Sequence, residues 1–259
     1  MDYFQKLETN PAPDLTWNLP ETKQGAIKII GGNSQRFRNE IKISEYISTN
    51  YPVQNTIVVL PDSLKSQLPD LPNFIFVGST DSGSFAYQDT LNTALDAPDF
   101  NLILGDLSKN SITGKIFAKS LAVPARPTLI TRDAIDLIAE CGPEQTLMNN
   151  RLIFFASMPG LQKLFRAVYY PKVLLLSQSL VQVADALHKF TLSYPAKIIT
   201  LHSGQILLAE NGEVRAIPLE KSGYTPISFW QGELAAKIAI FNLYNPNNFL
   251  DATSCALFA

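Results

Sequence analysis

The stretch Gly223–Leu243, GYTPISFWQGELAAKIAIFNL, sets apolar residues at Ile227, Trp230, Leu234, Ile238 and Phe241, about one helical turn apart. Ser228 and Gln231 stand at the S-x-x-Q spacing of a capping box, which predicts a helix over Ser228–Leu243. A helix start there offers free backbone N–H groups and the positive end of the helix dipole to an anion. Glu233 falls in its first turns, near such an anion. The same residues also read as a capped core helix whose glutamate complements the dipole, and spacing alone leaves both readings open.

Upstream of this segment, apolar strands alternate with helical stretches. Strands are predicted over Ala26–Ile30, Thr56–Leu60, Phe74–Val77, Asn101–Leu104, Thr128–Thr131, Leu152–Phe155 and Lys197–Leu201. Several are continuous apolar runs bounded by Gly or Pro, as strands covered on both faces require. Helices are predicted over Asn39–Thr49, Ile112–Leu121, Ala134–Cys141, Pro159–Val168 and Leu180–Thr191, with Ser157 as an N-cap just ahead of Pro159. Gln205–Ala209 and Val214–Ile217 flank Asn211-Gly212, a strong hairpin signal. The alternation predicts an α/β chain: a three-layer α/β/α domain over residues 25–259, mainly parallel, with an antiparallel edge hairpin. Residues 1–24, rich in Pro, Asn and Thr, read as a lead-in with one short helix.

Composition narrows the function classes. The 259 residues are 46% hydrophobic, enough for one sizeable core, and the net charge is −2. Without a Lys/Arg run the chain has no electrostatic footprint for nucleic acid or an anionic membrane surface. No apolar run approaches the length of a bilayer span, and the start MDYFQKLETN does not read as a secretory signal. Cys141 and Cys255 lack metal-ligand spacing and build no disulfide framework, so the expected setting is reducing and cytoplasmic. With His188 and His202 as the only histidines, histidine-based metal sites and triads are disfavoured.

In an open α/β sheet, ligands sit outside the carboxyl ends of the strands. That rule nominates Gly31, Gly32 and Asn33; Gly78 and Ser79; Gly105 and Asp106; Asp133; Ser157 and Met158; and His202, Ser203 and Gly204. Each taken singly is also ordinary turn chemistry. No G-x-G-x-x-G and no G-x-x-x-x-G-K-[ST] is completed, so the usual dinucleotide and P-loop readings fail.

Taken in order, these junctions resemble the ADP/ATP-dependent NAD(P)H-hydrate dehydratases, a branch of the ribokinase-like superfamily. QGAIKIIGGNS (Gln24–Ser34) is similar to the family's opening strand and GGS turn. NLILGDL (Asn101–Leu107) stands where the family has a strand and a GPGLG loop. PTLITRDAIDL (Pro127–Leu137) resembles its P-(apolar)-D-A-D-A-L segment, with Asp133 at the second aspartate. RLIFFASMPGLQKL (Arg151–Leu164) resembles the strand leading into TPHxxE, and IITLHSG (Ile198–Gly204) the strand ending in LKG. Gly223–Lys237 matches the closing helix with its G-[ST]-G-D turn, so the resemblance spans about residues 24–243.

The chain departs from that pattern at the motif letters. Gly105-Asp106-Leu107-Ser108-Lys109 lacks two of the loop glycines, and Ser157-Met158-Pro159 replaces the start of TPHxxE. His202 stands for the LKG lysine. The closing turn reads Trp230-Gln231-Gly232-Glu233, with one surviving glycine and glutamate for aspartate.

The resemblance implies a ribokinase-like fold, ADP or ATP as phosphoryl donor, Mg2+, and NAD(P)H hydrate or a related nucleotide as ligand. Glu233 would be the catalytic base. Gln231, Gly232, His202, Ser203 and Gly204 would bind the anion or nucleotide. Gly31, Gly32, Asn33, Gly105, Asp106, Asp133, Ser157 and Met158 would line the substrate side, and the chain would assemble as a homo-oligomer. Two further readings stand beside this one. The first is a catalytically inactive homologue that binds a nucleotide or NAD-like ligand or serves as an assembly subunit. The second is a superfamily kinase acting on another small hydroxyl compound.

Overall fold

The computed structural model describes residues 2–17, 19–69, 71–96, 99–122 and 126–259. Met1 and Asn18 of the expected lead-in lie outside them. The first half runs β1 (Phe4–Lys6), α1 (Asp14–Trp17), β2 (Gln24–Gly31), α2 (Arg38–Asn50), β3 (Val53–Pro61), β4 (Phe74–Val77), α3 (Gln88–Asp96), β5 (Phe100–Gly105), α4 (Ser111–Leu121) and β6 (Thr128–Thr131). It continues through α5 (Asp133–Glu140), α6 (Glu144–Leu147), β7 (Leu152–Phe155), α7 (Met158–Ala167) and α8 (Leu180–Ser193). The chain then closes with β8 (Lys197–His202), β9 (Gln205–Glu210), β10 (Glu213–Pro218), α9 (Glu233–Tyr244) and α10 (Phe249–Phe258).

All ten strands form one sheet in the order β1-β10-β9-β8-β7-β6-β5-β2-β3-β4. From β4 to β8 every pairing is parallel; β8, β9 and β10 are antiparallel, and β1 adds to β10 in parallel. Neighbouring residues on a strand serve opposite faces. Thus Ile30 and Ile103 pack beneath α3, α4, α5, α7 and α8. Ile29, Leu102 and Leu104 pack on the other face with α2, α9 and α10. This is the predicted three-layer α/β/α arrangement. Among the described residues no helix is long and apolar enough to cross a membrane.

Two tight turns build the antiparallel edge. Ser203 and Gly204 (φ 48° and 72°) join β8 to β9, and Asn211 and Gly212 (φ 49° and 84°) join β9 to β10, the left-handed pairs that two-residue hairpins favour. At the other end of the chain, the segment expected as a lead-in supplies β1, and Tyr3 stacks on His188 of α8 at 3.8 Å. Phe249, Leu250 and Leu257 of α10 are buried against α9, so the Phe-rich C-terminal segment belongs to this chain's own core.

The closing helix departs from its predicted start. Ser228–Trp230 is a separate 3-10 turn, and α9 begins at Glu233. The side chain of Ser228 does not cap α9; it exchanges hydrogen bonds with Thr225, whose N–H donates to Ser228 Oγ (2.8 Å) while the Ser228 N–H donates to Thr225 Oγ1 (3.1 Å). Ile227, expected on the buried stripe, is 76% exposed.

Between α7 and α8 the core is aromatic: Phe190 stacks on Phe165 at 4.1 Å and meets Tyr170 edge-on at 5.1 Å. Phe190→Ala is expected to lower the unfolding free energy by about 3–5 kcal/mol, the range for deleting a buried aromatic ring. Urea denaturation with an unchanged m-value checks this.

Candidate functional site

After β2 the chain moves outward through β3 and β4, then returns to place β5 on the opposite side of β2. The crevice beyond the carboxyl ends of β2 and β5 is therefore the point where strand order reverses, the usual ligand position in such sheets. The structure brings Gly31, Gly32, Asn33, Gly105, Asp106 and Asp133 together there. Gly32 N–H donates to Gly105 O (3.0 Å), and Asn33 Nδ2 donates to Asp106 O (2.5 Å). Asn33 Oδ1 accepts from the Gln35 and Arg36 N–H groups, closing an Asx turn that leads into α2.

Beyond β5 the backbone takes conformations that non-glycine residues seldom adopt. Gly105 (φ 100°), Asp106 (φ 55°), Ser108 (φ 61°) and, after β6, Arg132 (φ 57°) are all left-handed. Such strain persists where surrounding contacts over-determine it, as at ligand sites. Asp133, the first residue of α5, accepts from the N–H groups of Asp106 (2.7 Å) and Leu107 (3.1 Å). Arg132 grips Asp106 in a two-pronged pair of 2.9 and 3.0 Å.

Glu40 of α2 lies behind this cluster, fully buried, and neither carboxyl oxygen has a hydrogen-bond partner. Gly31 makes room for it, since a Cβ at that position would stand 2.6 Å from Glu40 Oε1. Burial pushes the Glu40 carboxyl up to about 8, with the nearby N–H of the same residue pulling the other way without closing a hydrogen bond; Asp106 and Asp133 add to the rise and Arg132 works against it. The Asp133 carboxyl is likewise raised by burial, against the pull of its two N–H donors and Arg132. In front, a concavity of about 420 Å³ is bordered by Arg36, Phe37, Arg38, Asn39, Asp106 and Arg132.

The amino end of α9 is built differently. Gly232 (φ 92°) precedes Glu233, whose carboxylate meets Lys42 Nζ of α2 at 2.8 Å. Gln231 closes the 3-10 turn through its N–H to Ser228 O. Phe229 is buried edge-on to Phe155 at 4.8 Å, and Trp230 lies over Phe155 at 5.2 Å. These rings stand where the resembling turn carries a glycine and a small hydroxyl residue. A narrow interstice between Trp230, Gly232 and Arg132 is too small for water.

The other predicted residues serve local structure. His202 is buried with Nε2 against Gln178 O (2.8 Å), and Ser203-Gly204 is the β8–β9 turn. Ser157 caps α7 through Gly160 N–H (3.2 Å), and Met158 is buried. Among the described residues, no hydrogen bond or ion pair joins these five to the switch-point cluster.

The acids that could face a metal-bound phosphate are Asp106 and Asp133, and both are already engaged. Asp106 is held by a guanidinium and Asp133 by two backbone N–H groups, and no three His, Cys, Asp or Glu side chains gather to hold a metal among the described residues.

Sequence reasoning overlooked Arg36, Arg38, Asn39, Glu40 and Arg132. A signal for Glu40 existed: Phe37, Glu40, Ile43 and Ile47 recur at helical spacing, which puts the carboxyl on the inward stripe of α2.

No protein-family model matches the chain, and no curated protein matches it by sequence. Solved structures do match. A ribokinase-like superfamily protein from Enterococcus faecalis V583 aligns over 100% of this chain and 86% of its own, at TM-score 0.67 and 17% identity. The chain has a ribokinase-like fold. A UPF0031-family member from Bacillus subtilis aligns over 96% of this chain and 86% of its own (TM-score 0.59, 12% identity). The ADP complex of Bacillus subtilis pyridoxal kinase aligns over 91% and 89% (TM-score 0.52, 12% identity). At these identities the likeness is one of fold.

A raised folded-state value means that the native protein keeps a Glu40 proton the unfolded chain has released. Stability conferred by that proton is complete below the ordinary value of 4.5 and is lost as pH rises towards about 8. Relative to Glu40→Gln, the wild type is therefore expected to lose on the order of 1 kcal/mol per pH unit across that window, then level off. Paired urea titrations from pH 4 to 9 measure the difference; a flat difference would mean the carboxyl is not protonated in the native state.

Proposed function

We propose that this chain is a ribokinase-like binding protein of the NAD(P)H-hydrate dehydratase branch. It holds a nucleotide or NAD-like ligand at the switch point without transferring a phosphoryl group. The observation that carries this reading is the packing of Phe155, Phe229 and Trp230 against the start of α9. Phosphoryl transfer depends on positioning and on donors aimed at developing charge. Three rings close round this turn, and Glu233, which the resemblance makes the base, already faces Lys42.

Nucleotide binding is the part of the reading that the fold supports: the pyridoxal kinase of the same architecture is a complex with ADP. The polar groups and strained backbone at the ends of β2, β5 and β6 support a retained ligand pocket. A cytoplasmic setting, expected from two cysteines that build no disulfide framework, stays part of this reading.

One observation favours a second reading, a working dehydratase. Glu233 is the first residue of α9, directly after a left-handed glycine, where the resemblance puts the catalytic aspartate. It would then act as base on a substrate hydroxyl, with ADP or ATP as donor.

Assay of NADH hydrate and NADPH hydrate with ADP or ATP and Mg2+ separates the two. The binding-protein reading expects no recovery of reduced cofactor from wild type, together with a ligand-induced rise in Tm. Turnover that disappears in Glu233→Gln would overturn it in favour of the dehydratase.

A further inference from the structure

We propose that Arg36, Arg38 and Arg132 form a recognition site for the phosphate group of a small ligand, and that a proton on Glu40 gates it. The inference rests on the ligand-binding reading above and specifies which part of the ligand the switch-point pocket holds.

The three guanidiniums border one concavity with Asn39 and Asp106. Arg132 already uses two N–H groups on Asp106. Arg36 and Arg38 are exposed and have no ion-pair partner among the described residues. Planar guanidinium forks beside a pocket match the oxygens of a phosphate or carboxylate. Asn39 borders the same concavity, and its Nδ2 is buried without an acceptor. Three guanidiniums and an amide exceed what the two oxygens of a carboxylate can use, whereas a phosphate monoester presents three acceptor oxygens and nearly two charges.

Glu40 decides the sign of the field behind this pocket. The groups facing it are Asp106 beyond β5 and Arg132 and Asp133 at the β6–α5 junction. On its own helix stand Arg38 and Lys42, the latter held by Glu233 of α9. With Glu40 protonated, three guanidiniums oppose the carboxylates of Asp106 and Asp133. With Glu40 ionised the count is three against three, which removes the net positive charge that favours an anion. Burial holds the proton on Glu40 to about pH 8.

Isothermal titration calorimetry with 5′-AMP, with uncharged adenosine and with NADH tests both halves. At pH 7 AMP is expected to bind at least tenfold more tightly than adenosine, and an Arg36→Ala/Arg38→Ala variant is expected to lose that margin. Between pH 7 and 9.5 the wild-type affinity for AMP should fall by about 30-fold, while Glu40→Gln should hold its affinity steady. Equal AMP binding in the arginine variant, or a pH decline shared by Glu40→Gln, would overturn the inference. AMP and adenosine binding equally well would overturn it while leaving the ligand-binding reading intact. Failure of AMP, adenosine and NADH alike to bind would overturn both.

Discussion

The close approach of β2 and β5 beyond their last regular pairs governs everything at this end of the sheet. Register shifts between Ile30 and Gly31, so that Gly31 stands opposite Gly105. A Cβ at Gly31 would stand 2.6 Å from both Gly105 O and Glu40 Oε1, so a side chain there would push β5 and α2 away together. The missing side chain therefore makes room for a buried carboxyl, and the glycine at 105 permits the left-handed run that turns Asp106 back toward Arg132. Irregular pairing of this kind re-aims side chains at the ends of strands. Here it converts two parallel strands into a pocket wall.

The electrostatics follow from that geometry. Buried polar oxygens without partners cost about 1–3 kcal/mol each, so an orphaned carboxyl persists only where its surroundings leave it no alternative. Glu40 cannot reach water, and Arg132, the nearest cation that could neutralise it, is held in a bidentate pair with Asp106. Asp133 in turn holds the Asp106 and Leu107 amides. Each group is fixed by the next, and the one degree of freedom left in the chain of contacts is a proton.

Much of the fold was legible because parallel strands covered on both faces must be continuous apolar runs, and NLILG, TLIT and LIFF are. Asn211-Gly212 marked its hairpin for the reason that only such residues accept two left-handed conformations in a row. The start of α9 was misread because Ser228 sits at capping spacing from two partners. It bonds back to Thr225, and a left-handed Gly232 resets the helix one turn later. β1 escaped notice because three residues on an edge carry no periodicity. Of the candidate site, the glycines and aspartates after β2, β5 and β6 were visible from the strand-end rule. Glu40 was overlooked although its spacing from Ile43 and Ile47 puts it on the inward stripe, because a carboxyl there makes sense only once the gap left by Gly31 is seen. Arg36 and Arg38 look like any exposed cations until the fold sets them around one hollow.

The two regions that Arg132 borders are built in opposite ways. At the α9 end, Phe229 is fully buried and Trp230 lies over Phe155, contacts that glycine and a small hydroxyl residue could not make. Burying one such ring contributes roughly 1.5–3 kcal/mol, and the favourable ring geometry adds to it. Small residues and open amides at that turn would contribute none of it, so an anion-binding turn and a packed aromatic corner are alternatives for the same space. At the β2–β5 end the chain keeps the opposite choice: strained backbone, paired charges and an unpartnered carboxyl, all unfavourable for stability. Arg132 borders both regions, facing Asp106 on one side and the closed interstice beside Trp230 on the other. Strain of this kind persists where surrounding contacts over-determine it, and the asymmetry between the two ends is the physical ground for the ligand-binding reading proposed above.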